Sequence, residues 1–307
     1  MPQRSVPSRP GAREERLAMG LFLLLSPHLP PTPQPEPRDD LRPFEPVTVP
    51  RRNGTAPLAA VWFPAERPRG AVLLLPPWLV WGKAYFYLRG RLQALRAAGY
   101  HALILDFPGF GGSGPVQGFF DRDVEDGLDF LRQRAAGLPL HVWGVSAGGS
   151  WAHLALSRAR GISGAMFEDV SPHLLEWSWR MTPLWRPALL FFRTCFRSAY
   201  RFLDARRHAG AMPLAAVTYV SGERDRGARP EDTRALAAAA GGRCRIVPGA
   251  GHLGAIKVAG EEVLALALDT FRRAEEAPRD GLSLREVESA DCPAMGGRPH
   301  EARSVRL

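Results

Sequence analysis

Short apolar runs alternate with longer amphipathic segments along most of the chain between residues 71 and 276. Continuous apolar runs of this length are typical of strands buried on both faces, and apolar positions three to four residues apart are typical of helices. The predicted strands are Ala71–Leu75, His101–Leu105, Leu140–Val145, Gly164–Glu168, Ala216–Ser221 and Cys244–Val247. The predicted helices are Tyr87–Ala98, Asp121–Arg134, Gly149–Arg160, Pro230–Ala240 and a last one from about Glu261 to Glu276. This alternation predicts an α/β fold with a mostly parallel sheet and helices on both faces.

Two further segments with strand character precede this series. Phe44–Val49 and Leu58–Phe63 flank Arg51-Arg52-Asn53-Gly54, and Asn-Gly is a strong signal for a hairpin turn. We therefore expect two antiparallel strands at the edge of the sheet.

One region interrupts the alternation. Residues 173–212 show no strand pattern but carry many aromatic side chains among arginines. The aromatic residues are Trp177, Trp179, Trp185, Phe191, Phe192, Phe196, Tyr200 and Phe202. We expect two or three short helices inserted as a small cap, whose aromatic rings either line an apolar pocket or pack as ordinary core.

The two ends of the chain look different from this central domain of residues 41–276. Residues 1–40 are predicted to be disordered or Pro-rich, and residues 277–307 to be a disordered tail, since both lack periodicity over most of their length. The apolar run 17–25 after a basic stretch has the outline of a secretion signal. It is shorter than the about 20 residues that span a bilayer, and no small-residue cleavage site follows. We expect a cytoplasmic protein, with Met19 as an alternative start.

Charge and cysteine content exclude several classes of function. The net charge of +9 comes almost wholly from arginines spread along the chain, since Lys83 and Lys257 are the only lysines. Without a compact basic tract, this pattern indicates a solvated surface and no nucleic-acid partner. The three cysteines, Cys195, Cys244 and Cys292, have neither metal-ligand nor disulfide-framework spacing. We predict no metal site and no cofactor.

The strongest chemical signal is Gly144-Val145-Ser146-Ala147-Gly148, which lies between a predicted strand and a predicted helix. In that context a serine flanked by glycines is typical of a nucleophile that sits on a sharp turn at the top of a sheet. The helix that follows favours the negative charge formed during attack. The alternative is a serine that only caps the helix.

A nucleophilic serine needs a base, and the base needs an acid to orient it. Asp225 and His252 each follow a predicted strand, so both are expected at the carboxyl edge of the sheet. Glu223 and Asp169 are rival acids at the same edge. His252 could also be an ordinary loop histidine, whereas the other histidines of the central domain lie at strand starts, in a helix or in the cap.

The oxyanion formed during attack needs two backbone N–H donors. One belongs to the residue after the nucleophile, Ala147, and the other to the loop after the strand Ala71–Leu75. Pro76 and Pro77 have no N–H. Trp78 is therefore the first available donor, with Leu79 next.

Together these motifs resemble the α/β-hydrolase superfamily, in particular its bacterial esterases and its lysophospholipase-like and acylglycerol-lipase-like members. The resemblance runs from about Phe44 to Ala274 and includes a loop similar to Asp-x-x-Gly-x-Gly-x-Ser at residues 106–113, besides Gly222-Glu223-Arg224-Asp225 and Gly251-His252. It implies an α/β-hydrolase fold, the roles of nucleophile, acid and base for Ser146, Asp225 and His252, and a cap over the active site. Pro76-Pro77 replaces the usual His-Gly of the family, and the serine argues against dehalogenases.

The expected function is hydrolysis of a carboxylic ester with an apolar acyl or alkyl group, through an acyl-enzyme. The alternatives are an amidase, a peptidase or an acyltransferase using the same residues, or a binding protein that keeps the scaffold without catalysis. The expected partner is a small apolar ester. An arginine-rich aromatic cap would also suit contact with an anionic membrane surface, and the sequence gives no signal for the oligomeric state.

Overall fold

The parallel strands and the helices between them form the centre of the molecule. The structure, a computed structural model, describes residues 6–25, 37–78, 82–182, 184 and 186–277. The strands are β1 (Glu45–Val49), β2 (Leu58–Phe63), β3 (Gly70–Leu75), β4 (Tyr100–Leu105), β5 (Leu140–Val145), β6 (Gly164–Glu168), β7 (Ala216–Gly222) and β8 (Arg243–Val247). They form one sheet in the order β1-β2-β4-β3-β5-β6-β7-β8. Only β2 is antiparallel to both of its neighbours, and β3 to β8 are parallel. The predicted mostly parallel sheet is confirmed.

Helices cover both faces of this sheet. They are α1 (Ala12–Leu25), α2 (Ala84–Tyr87), α3 (Arg91–Ala97), α4 (Asp121–Arg134), α5 (Ala147–Leu156), α6 (Leu174–Met181), α7 (Arg186–Cys195), α8 (Arg197–Phe202), α9 (Arg206–Ala209), α10 (Pro230–Ala240), α11 (Ala255–Val258) and α12 (Gly260–Glu276). Along β3, Leu73 and Leu75 point into one apolar cluster, and Val72 and Leu74 point into the other. A strand buried on both faces explains the continuous apolar runs in the sequence.

The register of the last four strands brings their carboxyl ends together. Val145 pairs with Glu168, Glu168 pairs with Val220, and Gly222 pairs with Val247. The loops that follow β5, β6, β7 and β8 therefore leave the sheet side by side. These four strand-end loops carry Ser146, Asp169, Asp225 and His252.

The N-terminal segment differs most from the expectation. Residues 12–25 form helix α1, although residues 1–40 were expected to be disordered or Pro-rich. Ala18, Met19 and Phe22 are buried against the main core, because their spacing places them on one side of the helix. The prediction of disorder was therefore wrong for this helix, while the expected disordered tail falls on residues 278–307, outside the described residues.

Smaller differences concern turns and helix ends. The predicted helix Tyr87–Ala98 is broken into α2 and α3, since Arg89 and Gly90 adopt positive φ angles of 64° and 74°. The Asn53-Gly54 turn is part of a longer connection between β1 and β2, and β2 lies inside the sheet, next to β4. Helix α11 was not predicted, because it has only four residues.

Among its described residues, the insertion between β6 and β7 contains four α-helices, α6 to α9, where two or three were expected. We call these the cap helices. In the part of the chain that the structure describes, no helix is both long enough and apolar enough to cross a bilayer.

Candidate active site

Ser146 sits at the sharp turn between β5 and α5. Its φ of 49° and ψ of −118° lie in a region that residues other than glycine rarely adopt. Its N–H donates to the carbonyl oxygen of Glu168 on the neighbouring strand, at 2.8 Å, which helps to hold this conformation. A Cβ at Gly148 would lie 2.3 Å from the carbonyl oxygen of Leu75, and one at Gly144 would lie 2.6 Å from the Cα of Gly149. The two glycines therefore permit the close packing that the turn requires.

His252 reaches the serine from the loop after β8. The hydroxyl oxygen of Ser146 and Nε2 of His252 are 3.1 Å apart, within hydrogen-bond distance. The His252 side chain is 25% exposed to solvent. The other described histidines bind elsewhere: His101 to Ala65, His141 to Glu275, His153 to Gly149 and Tyr219, His173 to Leu175 and Tyr200, and His208 to Ser157 and Phe202.

Asp225 orients the histidine from the loop after β7. Nδ1 of His252 and Oδ2 of Asp225 are 2.6 Å apart, and the Asp225 side chain is fully buried. Its other oxygen accepts the N–H groups of Gly227 and Ala228 at 2.8 and 2.9 Å. The structure thus brings three of the predicted site residues, Ser146, His252 and Asp225, into one hydrogen-bonded series.

The two rival acids occupy other places. Glu223 accepts the N–H of Gly249 at 2.9 Å and lies on the exposed side of the loop. Asp169 is buried at the end of β6, with a positive φ of 49°. One of its oxygens accepts the N–H of Gly222 at 3.1 Å, and the other accepts the N–H of Leu253 at 2.8 Å. Asp169 therefore joins the loop that carries the acid to the loop that carries the histidine.

Burial and charge act in opposite directions on these groups. Burial lowers the pKa of His252, but the hydrogen bond and the negative charge of Asp225, helped by Asp169, outweigh it, so that the pKa lies above the ordinary value for histidine. Burial raises the pKa of Asp169 to about 7, and the negative charges of Asp225 and Glu168 add to this effect while His252 opposes it. A raised pKa at His252 is what a base that accepts a proton from serine needs.

A buried ion pair supports the strand end next to the turn. The side chains of Arg91 and Glu168 are both fully buried and lie 3.0 Å apart. Glu168 also accepts the indole N–H of Trp143 at 2.7 Å. The backbone carbonyl of Glu168 accepts the N–H of Ser146, so a single hydrogen bond connects the residue in this ion pair to the turn at Ser146. Arg91 was included among the solvated arginines of the sequence analysis, and that interpretation was wrong for this residue.

The two predicted oxyanion donors belong to the start of α5 and to the loop after β3. Ala147 begins α5, and Trp78 follows the two prolines after β3. The carbonyl oxygens of Leu75 and Pro76 lie against Gly148, so this loop is packed onto the start of α5. Trp78 and Ala147 both line the cavity that contains Ser146. Leu79, the second candidate from this loop, lies outside the described residues.

The cavity at the serine has a volume of about 130 Å³ and a mainly apolar lining. The cap contributes Leu174, Trp177 and Ser178, and Trp177 lies with its ring centre 5.9 Å from that of His252. Most of the aromatic residues in the cap lie elsewhere. Phe192 and Phe202 are fully buried in the core, and Phe191 is 55% exposed. Trp185 lies outside the described residues.

A group of metal-binding side chains coincides with this site. Asp169, Asp225 and His252 each bring one ligand atom within 4.8 Å of the others. All three are already engaged: His252 with Asp225 and Ser146, and Asp169 with two backbone N–H groups. A metal ion bound here would have to displace these hydrogen bonds.

Two residues near the site were missed or undervalued by sequence reasoning. Phe22 of α1 lines the cavity together with Trp78. Phe22 belongs to the apolar run 17–25, which resembled a secretion signal. The only sequence signal for a role in the core was the helical spacing of apolar residues in this run. Asp169 was weighed only as an acid, whereas its position directly after a strand also suits a residue that fixes neighbouring loops.

Comparison with known proteins identifies the family and the fold. A profile described as "Alpha/beta hydrolase family" matches residues 72–266. Curated protein sequences give no significant match. Among solved structures, an esterase from Pyrococcus furiosus superposes with a TM-score of 0.66 and 17% sequence identity, over 81% of this chain and 98% of that one.

Two further solved structures are similar. An α/β hydrolase from Penicillium sp. sh18 has a TM-score of 0.61 and 15% identity, over 76% of this chain and 100% of that one. A thermostable carboxyl esterase from Bacillus coagulans has a TM-score of 0.57 and 15% identity, over 74% and 99%. These similarities concern the fold, and the profile covers more than half of the chain, from β3 into α12. The chain belongs to the alpha/beta hydrolase family.

Proposed function

We propose that this chain is a serine hydrolase that cleaves a carboxylic ester with an apolar acyl or alkyl group. The observation that carries the proposal is the hydrogen-bonded series from Ser146 through His252 to Asp225, with distances of 3.1 and 2.6 Å. Membership of the alpha/beta hydrolase family supports hydrolysis as the type of reaction. The apolar lining of the cavity beside Ser146 supports an apolar group on the substrate.

The proposed reaction begins with attack by the Ser146 hydroxyl on the ester carbonyl carbon. Nε2 of His252 takes the hydroxyl proton, and Asp225 stabilises the resulting imidazolium. The carbonyl oxygen becomes an oxyanion, for which the N–H groups of Ala147 and Trp78 are the proposed donors. The tetrahedral intermediate then collapses, and the alcohol leaves with the proton from His252.

A water molecule completes the cycle. His252 takes a proton from water, which attacks the acyl-serine, and the acid is released as the serine regains its proton. The raised pKa of His252 suits both directions of proton transfer near neutral pH. Since the side chain of His252 is 25% exposed, water can reach the base.

The test compares two serines in the same cavity. Ser146→Ala should abolish labelling by a fluorophosphonate probe and lower kcat/KM for p-nitrophenyl butyrate by at least about 10⁴-fold, because the proposed acyl-enzyme forms on the hydroxyl that this substitution removes. Ser150→Ala is the matched control, since Ser150 lines the cavity but its hydroxyl contacts only the backbone carbonyl oxygens of Ser171 and Ser146, at 3.2 and 3.4 Å, among the described residues. This variant should keep labelling and most of the activity. Equal labelling of Ser146→Ala and the unsubstituted chain would refute the proposal.

A further inference from the structure

Helix α1 closes one side of the cavity at the nucleophile. Phe22 is only 6% exposed and meets Trp78 edge to face, with ring centres 5.7 Å apart. Trp78 in turn stacks on Phe120 at 5.5 Å. An aromatic wall thus continues from the N-terminal helix into the loop that carries a proposed oxyanion donor.

Buried and partly buried polar contacts fix α1 in this position. Glu15 accepts the N–H of Phe119 at 2.9 Å and the Nε–H of Arg9 at 2.8 Å. Arg9 also pairs with Asp121, which is fully buried at the start of α4. Burial raises the pKa of Glu15, but the contacts with Arg9 and Phe119 lower it by more than burial raises it. The pKa therefore lies below the ordinary value for glutamate, and the carboxylate is charged at neutral pH.

A second set of contacts ties α1 to the cap. Glu14 accepts the N–H of Ala199 at 3.1 Å and also the hydroxyl of Ser198, both on α8. Helix α1 also packs closely against the segment that precedes α4, since a Cβ at Gly118 would lie 2.4 Å from a Glu15 carboxylate oxygen. Because α1 is held to α4 and to α8 at once, it forms a fixed wall of the cavity.

The size of the cavity indicates which groups it can surround. Its volume is about 130 Å³, and an apolar protein cavity of about 150 Å³ takes up one benzene molecule. The space beside Ser146 therefore matches a group of about six carbons or fewer. Typical pockets for larger ligands have volumes of roughly 300–1,000 Å³.

We infer that the chain prefers esters with a short apolar group, of about six carbons or fewer, on one side of the scissile bond, and that Phe22 of α1 sets this limit. The inference rests on the proposed ester hydrolysis. It assigns α1 the role of a specificity element, because the phenyl ring of Phe22 is one of the groups that bound the cavity beside Ser146. The occupant is the acyl or alcohol portion of the substrate itself.

The test uses the full chain and two series of esters with graded chain length. One series varies the acyl group of p-nitrophenyl esters, and the release of p-nitrophenol is measured. The other series varies the alcohol of acetate esters, and the release of acetic acid is measured. We expect kcat/KM to rise about fourfold per methylene while the group is being buried, and to fall beyond about six carbons in the series whose variable part enters the cavity.

Substitutions of Phe22 should move this limit in both directions. Phe22→Ala removes six ring carbons from the wall, so the optimum should move up by at least two carbons. The ratio of long-chain to short-chain kcat/KM should then rise at least about tenfold. Phe22→Trp should move the optimum down, which tests the inference even if the alanine variant folds poorly. Leu17→Ala is the matched control, since Leu17 lies on the same helix but is 54% exposed and should leave the profile unchanged.

The outcomes separate the inference from the proposed function. An active chain whose chain-length optimum is the same in Phe22→Ala and Phe22→Trp would overturn the role of α1. A shift in Leu17→Ala as large as that in Phe22→Ala would also overturn it. Absence of ester turnover in the unsubstituted chain would instead refute the proposed function, before any variant is compared.

Discussion

The strand-end loops and the helices that cover them are held in place by different kinds of interaction. In the loops, backbone N–H groups donate to buried carboxylates, as at Asp169 and Asp225. In the cover, formed by α1 and the cap helices, long side chains make many of the contacts. Arg206 binds Glu176 at 2.9 Å with 41% and 27% of their side chains exposed, and Arg180 pairs with Asp232.

This difference separates the positioning of the reacting atoms from the shaping of the space around them. Short side chains that bind rigid backbone fix atoms closely, which a proton transfer over about 3 Å requires. Exposed ion pairs between long side chains contribute only about 0–1 kcal/mol each and weaken with salt. Changes in the loops should therefore alter the rate of the reaction, and changes in the cover should alter which substrate fits.

The largest effect in this comparison is expected for Asp225→Asn. The amide cannot stabilise the imidazolium, and a change of this kind lowers kcat by about 10⁴-fold in serine proteases with the same arrangement. We expect a similar loss of kcat for an activated ester, measured with the folded variant at its own pH optimum.

The size of that loss also decides between two acids. Asp169 has an oxygen within 4.8 Å of the ligand atom of His252, but both of its oxygens already accept backbone N–H groups. A loss of less than about 100-fold would contradict our assignment and show that Asp169 can replace Asp225.

A smaller but more informative effect is expected for Asp169→Asn. In the native chain, each carboxylate oxygen of Asp169 accepts one backbone N–H, from Gly222 or from Leu253. Asparagine has only one acceptor oxygen, so one of these two N–H groups loses its partner and its loop should move. We expect kcat/KM to fall about 10- to 100-fold, as for a displacement of about 1 Å at a reacting group. Glu223→Gln is the matched control, because the amide oxygen can still accept the N–H of Gly249, and its activity should stay within about twofold of the unsubstituted chain.

The pH profile distinguishes a purely structural role of Asp169 from an electrostatic one. The negative charge of Asp169 raises the pKa of His252, and the acid limb of kcat/KM reports protonation of that base. Since the pKa of Asp169 is raised to about 7, this carboxyl is partly neutral over the acid limb, so removing its remaining charge should lower the pKa of His252 and move the acid limb of Asp169→Asn only slightly to lower pH. An acid limb that stays in place would show that Asp169 acts through loop position alone.

The strand-end loops could largely be predicted from the sequence, because their signals are local. Strands buried on both faces produce continuous apolar runs, and each proposed catalytic residue follows the end of such a run. The positions expected for Ser146, Asp225 and His252 agree with the observed geometry, with short distances between them. The second oxyanion donor stays a prediction, since only its location beside the cavity supports it.

The cover was much harder to predict, because its contacts join distant parts of the chain. Helix α1 depends on Asp121 and Phe119, more than 100 residues away in sequence. Arg91 looked like a surface residue because its partner Glu168 lies 77 residues further on. Charged side chains of this kind reveal their burial only when the partner is known.

The smallest effect on catalysis is expected for substitutions in α7, where two adjacent phenylalanines differ completely in burial. Phe191 is 55% exposed and Phe192 is fully buried. Phe192→Ala should lower the free energy of unfolding by about 3–5 kcal/mol, since it leaves a cavity in the core. Phe191→Ala should change it by no more than about 0.5 kcal/mol. Denaturant unfolding measures both free energies.

In each folded variant, kcat for a short ester should stay within about twofold, because neither ring lines the cavity at Ser146. A large loss of kcat in folded Phe191→Ala would contradict the separation between loops that set the rate and a cover that sets the fit.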